Sequence, residues 1–109
     1  MMHTFKNSVF ADEDLIEAFV YGLTTWGEEQ ALKYKEALEK GRERICEDPY
    51  LIGSKPQEKL TSGCRSYRVE HYYFFYRFNA ETQTVEIAIV LRENRDFPRH
   101  VSSDSFPTD

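Results

Sequence analysis

Long apolar runs are missing from this sequence of 109 residues. No stretch approaches the roughly 18 apolar residues that a bilayer-spanning helix needs. The first residues, 1–5, also lack the basic start and the apolar segment of a secretory signal peptide. We therefore expect a cytoplasmic protein with no membrane partner.

Cysteine and histidine are scarce, with two and three residues respectively. Cys46 and Cys64 show no metal-ligand spacing, so no structural zinc site is expected, and both thiols should be reduced in a cytosolic protein. Cys64 and His71 are seven residues apart and are not favoured as a nucleophile and base. The glycines never cluster into a phosphate-binding loop. We expect no metal and no cofactor.

An excess of positive charge is also missing, since the formal net charge is −5. Residues 1–48 carry 6 Lys and Arg against 11 Asp and Glu, whereas residues 49–101 carry 8 against 6. Phosphate contacts dominate affinity for nucleic acids, so an acidic chain is not expected to bind DNA directly. The second half can still present a local basic face.

Two helical patterns occupy the first half. Ser8 is a candidate N-cap of the first helix, with Asp12 as the alternative, and Gly27 ends it. The second helix should run from about Glu28 to Asp48 and stop at Pro49. Because almost no linker separates them, the helices should form an antiparallel hairpin. Apolar residues recur in the first helix as Val9, Leu15, Ile16, Phe19, Leu23 and Trp26, and from Leu15 onward their spacing forms one stripe. The expected inner face of the second helix is Ala31, Tyr34, Leu38 and Ile45.

The second half is typical of strands. Residues 65–69 alternate, and residues 71–78 form a dense aromatic run that needs cover on both faces, which predicts a central strand. Residues 79–83 should make a hairpin turn. Core packing is the favoured reading of the aromatic run, and base stacking is the alternative. The last strand is indicated by the alternation of Val85, Ile87, Ile89 and Leu91.

With a weak strand signal over residues 2–7, the element order is β-α-α-β-β-β. This order predicts an α+β fold in which a helical hairpin packs on one face of a mostly antiparallel sheet. We expect a single domain over residues 1–101. Residues 102–109 are polar and are expected to fray.

Two groups of residues are candidates for function. Trp26, Gly27 and Tyr34 are predicted to close the helical hairpin, with Trp26 in the core; direct contact of Trp26 with a partner is the alternative. Guanidinium groups on one sheet face suit phosphate or carboxylate recognition, whereas the alternative is surface charge paired with glutamates on the strands. The candidate binding arginines are Arg65, Arg68, Arg77, Arg92 and Arg95.

Several short motifs, taken in order across about residues 3–101, resemble the ParE branch of the ParE/RelE toxin superfamily. Each motif is weak alone, but the ordered combination is fairly specific. The motifs are Asp14-Leu15, Trp26-Gly27 with Gln30-Ala31 and Tyr34, Pro49, Leu60 with Gly63, Arg65-Ser66-Tyr67-Arg68-Val69, Phe75-Tyr76-Arg77, and Val90-Leu91 with Arg95-Asp96.

The resemblance implies a toxin of a type II toxin–antitoxin system with the same α+β fold. It also implies a ParD-like antitoxin whose disordered C-terminal segment wraps the toxin. DNA gyrase is the implied target, with an effect on DNA replication and plasmid stabilisation. The five arginines would then bind the antitoxin or the target.

Two alternatives stay open. The first is a RelE-like, ribosome-dependent mRNA endonuclease, which needs converging cations and usually a C-terminal tyrosine or histidine for proton transfer. No tyrosine follows Tyr76 and the chain is acidic, so no convincing ribonuclease constellation is present. One departure from the ParE pattern is Arg92, which replaces a histidine that ParE relatives often carry. The second is a non-toxic interaction module with the same fold.

Overall fold

Two helices lie on one face of a five-stranded sheet in the computed structural model, which describes residues 2–93 and 101–107. The predicted α+β class and the predicted order of helices and strands are confirmed. A two-residue strand, β2, is added within the segment that was expected to be loop. The elements are β1 (Thr4–Asn7), α1 (Val9–Trp26), α2 (Glu28–Glu47), β2 (Lys55–Pro56), β3 (Arg65–Val69), β4 (Tyr72–Asn79), β5 (Thr84–Arg92) and a 3₁₀ turn at Ser103–Ser105.

The strands follow the order β1-β5-β4-β3-β2 across the sheet. Strand β1 runs parallel to β5, and the other neighbouring pairs are antiparallel. The aromatic strand β4 therefore lies in the middle, as its composition predicted. A register shift between Phe75 and Tyr76 interrupts its pairing with β5.

Ser8 fixes the start of α1, which confirms the first of the two predicted caps. Its hydroxyl accepts a hydrogen bond from the Ala11 amide at 3.0 Å and donates one to the Ala88 carbonyl at 2.5 Å. The Ser8 amide also donates to the Ile87 carbonyl at 2.9 Å. One residue thus caps the helix and ties it to β5.

Gly27 is the joint between the helices. Its φ of 91° lies in the region that favours glycine, and its amide donates to the Leu23 carbonyl at 3.2 Å. Just before the joint, Gly22 brings α1 close to Ala31, since a Cβ at Gly22 would lie 3.2 Å from the Ala31 Cβ. The predicted antiparallel hairpin is therefore held tightly at its closed end.

The buried stripe predicted for α1 is wrong for most of its members. Leu15 and Phe19 are partly buried, but Ile16, Leu23 and Trp26 are exposed. Apolar side chains occupy more than one face of α1, so spacing alone could not identify the inward face. The buried positions of α1 are instead the small residues Ala11 and Gly22, which allow close approach to the sheet and to α2.

The predicted inner face of α2 is confirmed. Ala31, Leu38 and Ile45 are buried and Tyr34 is partly buried, whereas Lys33 and Lys40 make the expected i,i+4 ion pairs on the outer face. Neither helix in residues 2–93 combines the length and the apolar character that a membrane span requires.

The tail is packed where it is described, so the expectation of fraying is wrong for residues 102–107. Val101 and Phe106 are buried on the sheet face opposite the helices, against Cys64, Phe75 and Ala88. Ser102 and Ser105 close the intervening turn with a reciprocal capping box. Val101, just before the polar segment, and Phe106, within it, seat the segment on the sheet.

Gly41 is where α2 approaches β3 most closely. A Cβ placed on Gly41 would lie 2.3 Å from a methyl carbon of Val69, nearer than two carbon atoms can approach. We expect Gly41→Ala to lower the free energy of unfolding by roughly 1–2 kcal/mol, since the overpacking cost exceeds the gain in helix propensity. Chemical denaturation measures this change.

The matched background for this test is Val69→Ala, which removes the two methyl groups that a new Cβ would meet. In that background Gly41→Ala should be neutral or stabilising by up to about 1 kcal/mol. Equal destabilisation in both backgrounds would show that the Val69 contact does not determine the requirement for glycine.

Candidate functional site

An apolar groove opens between α1 and α2. It has a volume of about 290 Å³, and Phe74 of the central strand lines it between the two helices. Lys35, Glu39 and Arg42 are its charged lining residues, all from α2. The apolar lining consists of Leu15, Ile16, Ala18, Phe19, Ala31, Tyr34 and Leu38 together with Phe74.

An exposed apolar stripe runs along α1 beside this groove. Ile16, Val20 and Leu23 follow at i, i+4 and i+7 spacing and are 63%, 50% and 37% exposed. The charged residues of α1 are all acidic, since Val9–Trp26 contains no Lys or Arg. The groove and the stripe share Ile16, and their charged margin is acidic on the α1 side, whereas Lys35 and Arg42 lie on the α2 side. Such a surface suits an amphipathic segment that has basic side chains towards α1.

The candidate arginines are divided between the two faces of the sheet, so the described ones form no single cluster. Arg65 and Arg92 lie on the helical side, where Arg65 neighbours Tyr50 and Arg92 lies against Tyr21. Arg68 and Arg77 lie on the other side, as alternation predicted for Arg68. Arg95 lies outside the described residues.

On the far side of the sheet, Arg68 and Arg77 are both engaged by glutamates. Arg68 forms an ion pair with Glu93, whose other carboxylate oxygen lies 2.6 Å from His71 Nδ1. The Arg77 Nε donates to Glu86 Oε1 at 2.6 Å, and the Arg77 guanidinium lies 4.3 Å from the centre of the Phe106 ring. These pairs fit the surface-charge alternative, and the C-terminal segment covers Arg77.

On the helical side, Arg65 has a structural role. Its guanidinium donates to the Ser54 hydroxyl at 2.8 Å and lies 5.1 Å from the centre of the Tyr50 ring. These contacts hold the loop after α2 against β3. Arg92 differs, because its guanidinium carbon lies 4.1 Å from the centre of the Tyr21 ring and the group donates to the Tyr21 hydroxyl at 3.2 Å.

Aromatic rings form a column at the closed end of the hairpin. Trp26 stacks on Tyr34 with 5.1 Å between ring centres, and Tyr34 stacks on His71 at 6.1 Å. Tyr21 meets Trp26 edge-on at 5.5 Å. Trp26 does bridge α1 and α2, but it is 46% exposed, so the expectation that it belongs to the core is wrong. The hairpin-closing role of Trp26, Gly27 and Tyr34 stays a prediction.

Burial raises the pKa values of two side chains inside the fold. Desolvation raises the pKa of the Cys64 thiol to about 11, so the thiolate is scarce at neutral pH. Desolvation also raises the pKa of Tyr76, which is fully buried and donates to the Pro49 carbonyl at 2.6 Å. Both groups are therefore structural, and neither suits nucleophilic or acid–base chemistry. Both cysteines are free and buried.

The described residues offer no cluster of His, Cys, Asp and Glu that could hold a metal ion. The described surface has an apolar groove, an exposed aromatic column and cations held by neighbouring groups, and these features can bind a partner. Sequence reasoning missed the groove. The signal that could have found it is the second apolar stripe of α1, formed by Ile16, Val20 and Leu23.

Solved structures of bacterial toxin–antitoxin systems share this architecture. A chain from the chromosomal ParDE system of P. aeruginosa superposes with a TM-score of 0.70 at 19% identity, covering 84% of this chain and 96% of that one. A chain of the RelBE2 toxin–antitoxin complex from Mycobacterium tuberculosis gives 0.62 at 23% identity, covering 84% and 99%. A mutant of E. coli toxin RelE in the free state gives 0.61 at 16% identity, covering 86% of both. The fold is that of the ParE/RelE toxins.

Sequence comparison narrows this class to one family. The family model of the ParE toxin of type II toxin–antitoxin systems matches residues 8–97. Toxin ParE1 of Caulobacter vibrioides is 31% identical over 100 residues, which cover 92% of this chain and 99% of that protein. The chain therefore belongs to the ParE toxin family, and the resemblance identified from the sequence motifs is confirmed.

The partial exposure of Trp26 changes the expected energetics of its truncation. Replacing a buried aromatic residue with alanine costs about 3–5 kcal/mol. Because nearly half of Trp26 is in solvent, we expect Trp26→Ala to cost roughly half of that, about 1.5–2.5 kcal/mol. Chemical denaturation followed by circular dichroism measures the loss without relying on the tryptophan signal.

The comparator is Phe75→Ala, at a fully buried aromatic position of strand β4. It should lose more free energy of unfolding than Trp26→Ala, or fail to fold. If Trp26→Ala proves the more damaging of the two, the aromatic column is more important to the fold than its exposure indicates.

Proposed function

We propose that this protein is a ParE-type toxin that acts on DNA gyrase in the cytoplasm and is neutralised by a ParD-like antitoxin. The match of the ParE family model to residues 8–97 is the observation that carries this proposal. The groove between α1 and α2 supports it, because a toxin that works by binding needs an interaction surface rather than a catalytic centre. Stabilisation of a plasmid that encodes both proteins would follow from this activity.

A ribosome-dependent ribonuclease is the alternative function. That chemistry needs several unpaired cations around one phosphate. Within residues 2–93 and 101–107, Arg68 and Arg77 are paired with glutamates, and Arg65 and Arg92 lie on the opposite sheet face. Tyr76 is buried and bonded to a main-chain carbonyl. The described residues therefore favour binding over phosphodiester cleavage.

The antitoxin segment is proposed to bind the groove as an amphipathic helix. Ile16 is both exposed and part of the groove lining, so an apolar side chain of the partner would bury it. Basic side chains beside that apolar face would meet the acidic residues of α1. A disordered segment can fold on such a surface and cover more of it than a rigid partner of the same length.

The arginines contribute to this proposal to different degrees. Arg68 is 54% exposed in its side chain and can exchange its intramolecular partner Glu93 for a carboxylate of the antitoxin or the target. Arg65 and Arg77 are less accessible and hold the loop after α2 and the C-terminal segment. Arg95, outside the described residues, stays a candidate from its sequence motif.

Inducing the chain in bacteria tests the activity. We expect growth arrest that co-expression of the cognate antitoxin relieves, and purified protein should inhibit DNA supercoiling by gyrase. Because the arginines do not converge, ribosome-bound mRNA should stay intact in a translating extract. Codon-positioned mRNA cuts that Arg68→Ala or Arg77→Ala abolishes would establish the ribonuclease instead. Normal growth under full induction would establish a non-toxic interaction module.

Matched substitutions on the two helices test the docking surface. Ile16→Asp places a charge in the groove, whereas Leu32→Asp makes the same change at an exposed helical position outside its lining. We expect Ile16→Asp to weaken antitoxin binding by at least about tenfold, since burying an unpaired carboxylate costs more than 1.4 kcal/mol. Leu32→Asp should stay within about twofold in titration calorimetry. Equal losses for both variants would place the antitoxin elsewhere.

A further inference from the structure

Arg92 is set apart from the other described strand arginines by its surroundings. Arg68 and Arg77 pair with glutamates, and Arg65 directs its donors to Ser54. Arg92 makes one hydrogen bond, to the Tyr21 hydroxyl, and it has no carboxylate within ion-pairing distance among residues 2–93 and 101–107. Its side chain is partly buried, so its charge is only partly hydrated.

Arg92 lies between two adjoining hollows that share Tyr21 and Tyr72. The first, of about 200 Å³, extends towards the aromatic column of Trp26 and Tyr34. The second, of about 210 Å³, extends along the middle of α1 and the end of β5. The first hollow is lined by rings from α1, α2, β4 and the turn before β4: Tyr21, Trp26, Tyr34, His71 and Tyr72. A side chain that enters it would contact these rings, with Arg92 and Glu93 also in the lining.

Two contacts with Tyr21, over the ring face and with the hydroxyl, restrict the orientation of the Arg92 guanidinium. A guanidinium held in this way can direct its remaining N–H groups at a carboxylate, which it binds in two parallel hydrogen bonds. The single bond to the Tyr21 hydroxyl leaves other donors for a ligand. Because Arg92 is already ordered, a ligand does not have to immobilise it.

We propose that Arg92 and the aromatic hollow bind a carboxylate next to a large apolar or aromatic side chain on a protein partner, a site that rests on the proposed function as a toxin that binds proteins. Tryptophan, tyrosine and arginine are the residues that dominate binding energy at protein interfaces. Here they occur together, with Trp26 and His71 exposed. The partner's apolar or aromatic side chain fills the hollow, and the partner's carboxylate binds the Arg92 guanidinium.

Nearby acidic residues favour a protein partner over a nucleic acid. Asp14 and Glu17 line the second hollow and Glu93 lines the first, so a chain of phosphates would face three carboxylates. One carboxylate directed at Arg92 meets far less repulsion. Aromatic rings do stack on bases, so a nucleotide belongs among the probes.

Three small probes test the chemistry of the site. N-acetyl-L-phenylalaninate carries a ring and a carboxylate, its primary amide carries the ring without the charge, and adenosine 5′-monophosphate carries a base and a phosphate. Trp26 is the single tryptophan, so its indole N–H signal in a ¹H–¹⁵N spectrum reports occupancy of the hollow. We expect the carboxylate probe to bind about tenfold more tightly than the amide, since it adds charged hydrogen bonds.

Arg92→Gln should remove that tenfold preference, whereas Lys33→Gln, on the outer face of α2, should leave it unchanged. Equal binding of acid and amide, or an unchanged preference in Arg92→Gln, would refute the site. Tighter binding of the nucleotide than of the acid would show a nucleotide site in its place. Growth arrest by the unaltered chain is scored separately, so failure of the toxin function and failure of this site are distinguishable.

Discussion

Burial of β4 on both faces is the constraint on which the rest of the structure depends. Phe74 and Tyr76 face the helices, whereas Phe75 faces the C-terminal segment, and all three are fully buried. One cover is the helical hairpin, seated closely at Gly41. The other cover is short, formed by Val101 and Phe106. A small domain must therefore use nearly its whole chain to enclose one strand.

Periodicity was informative where only one face of an element is apolar. Helix α2 has apolar residues such as Leu38 and Ile45 on one face and its ion pairs on the opposite face, so its inner face could be predicted. Helix α1 is apolar on more than one side, and Ile16 and Val20 are exposed and not part of the core. An apolar pattern predicts that its residues are buried, but it does not show whether the same chain or another molecule buries them.

The ion pairs of the candidate site could not be predicted from the sequence either. The positions of Arg65, Arg68, Arg77 and Arg92 on strands could be predicted, but their division between two faces and their partners depend on register. Arg68 and Glu93 are distant in sequence and meet only because β3, β4 and β5 are neighbours. The C-terminal turn was missed because Phe106 is a single apolar residue in a polar segment.

The parallel pairing of β1 with β5 has a consequence for how the protein is made. Thr4 lies opposite Thr84, and Ser8 bonds to Ala88, so the first strand has no partner in the sheet until the last strand exists. Contacts across such separations close slowly because a long loop must be ordered first. The native sheet is thus completed only when nearly all of the chain has been synthesised. A nascent or truncated chain that lacks β5 has its helices but not the β1–β5 edge of the sheet.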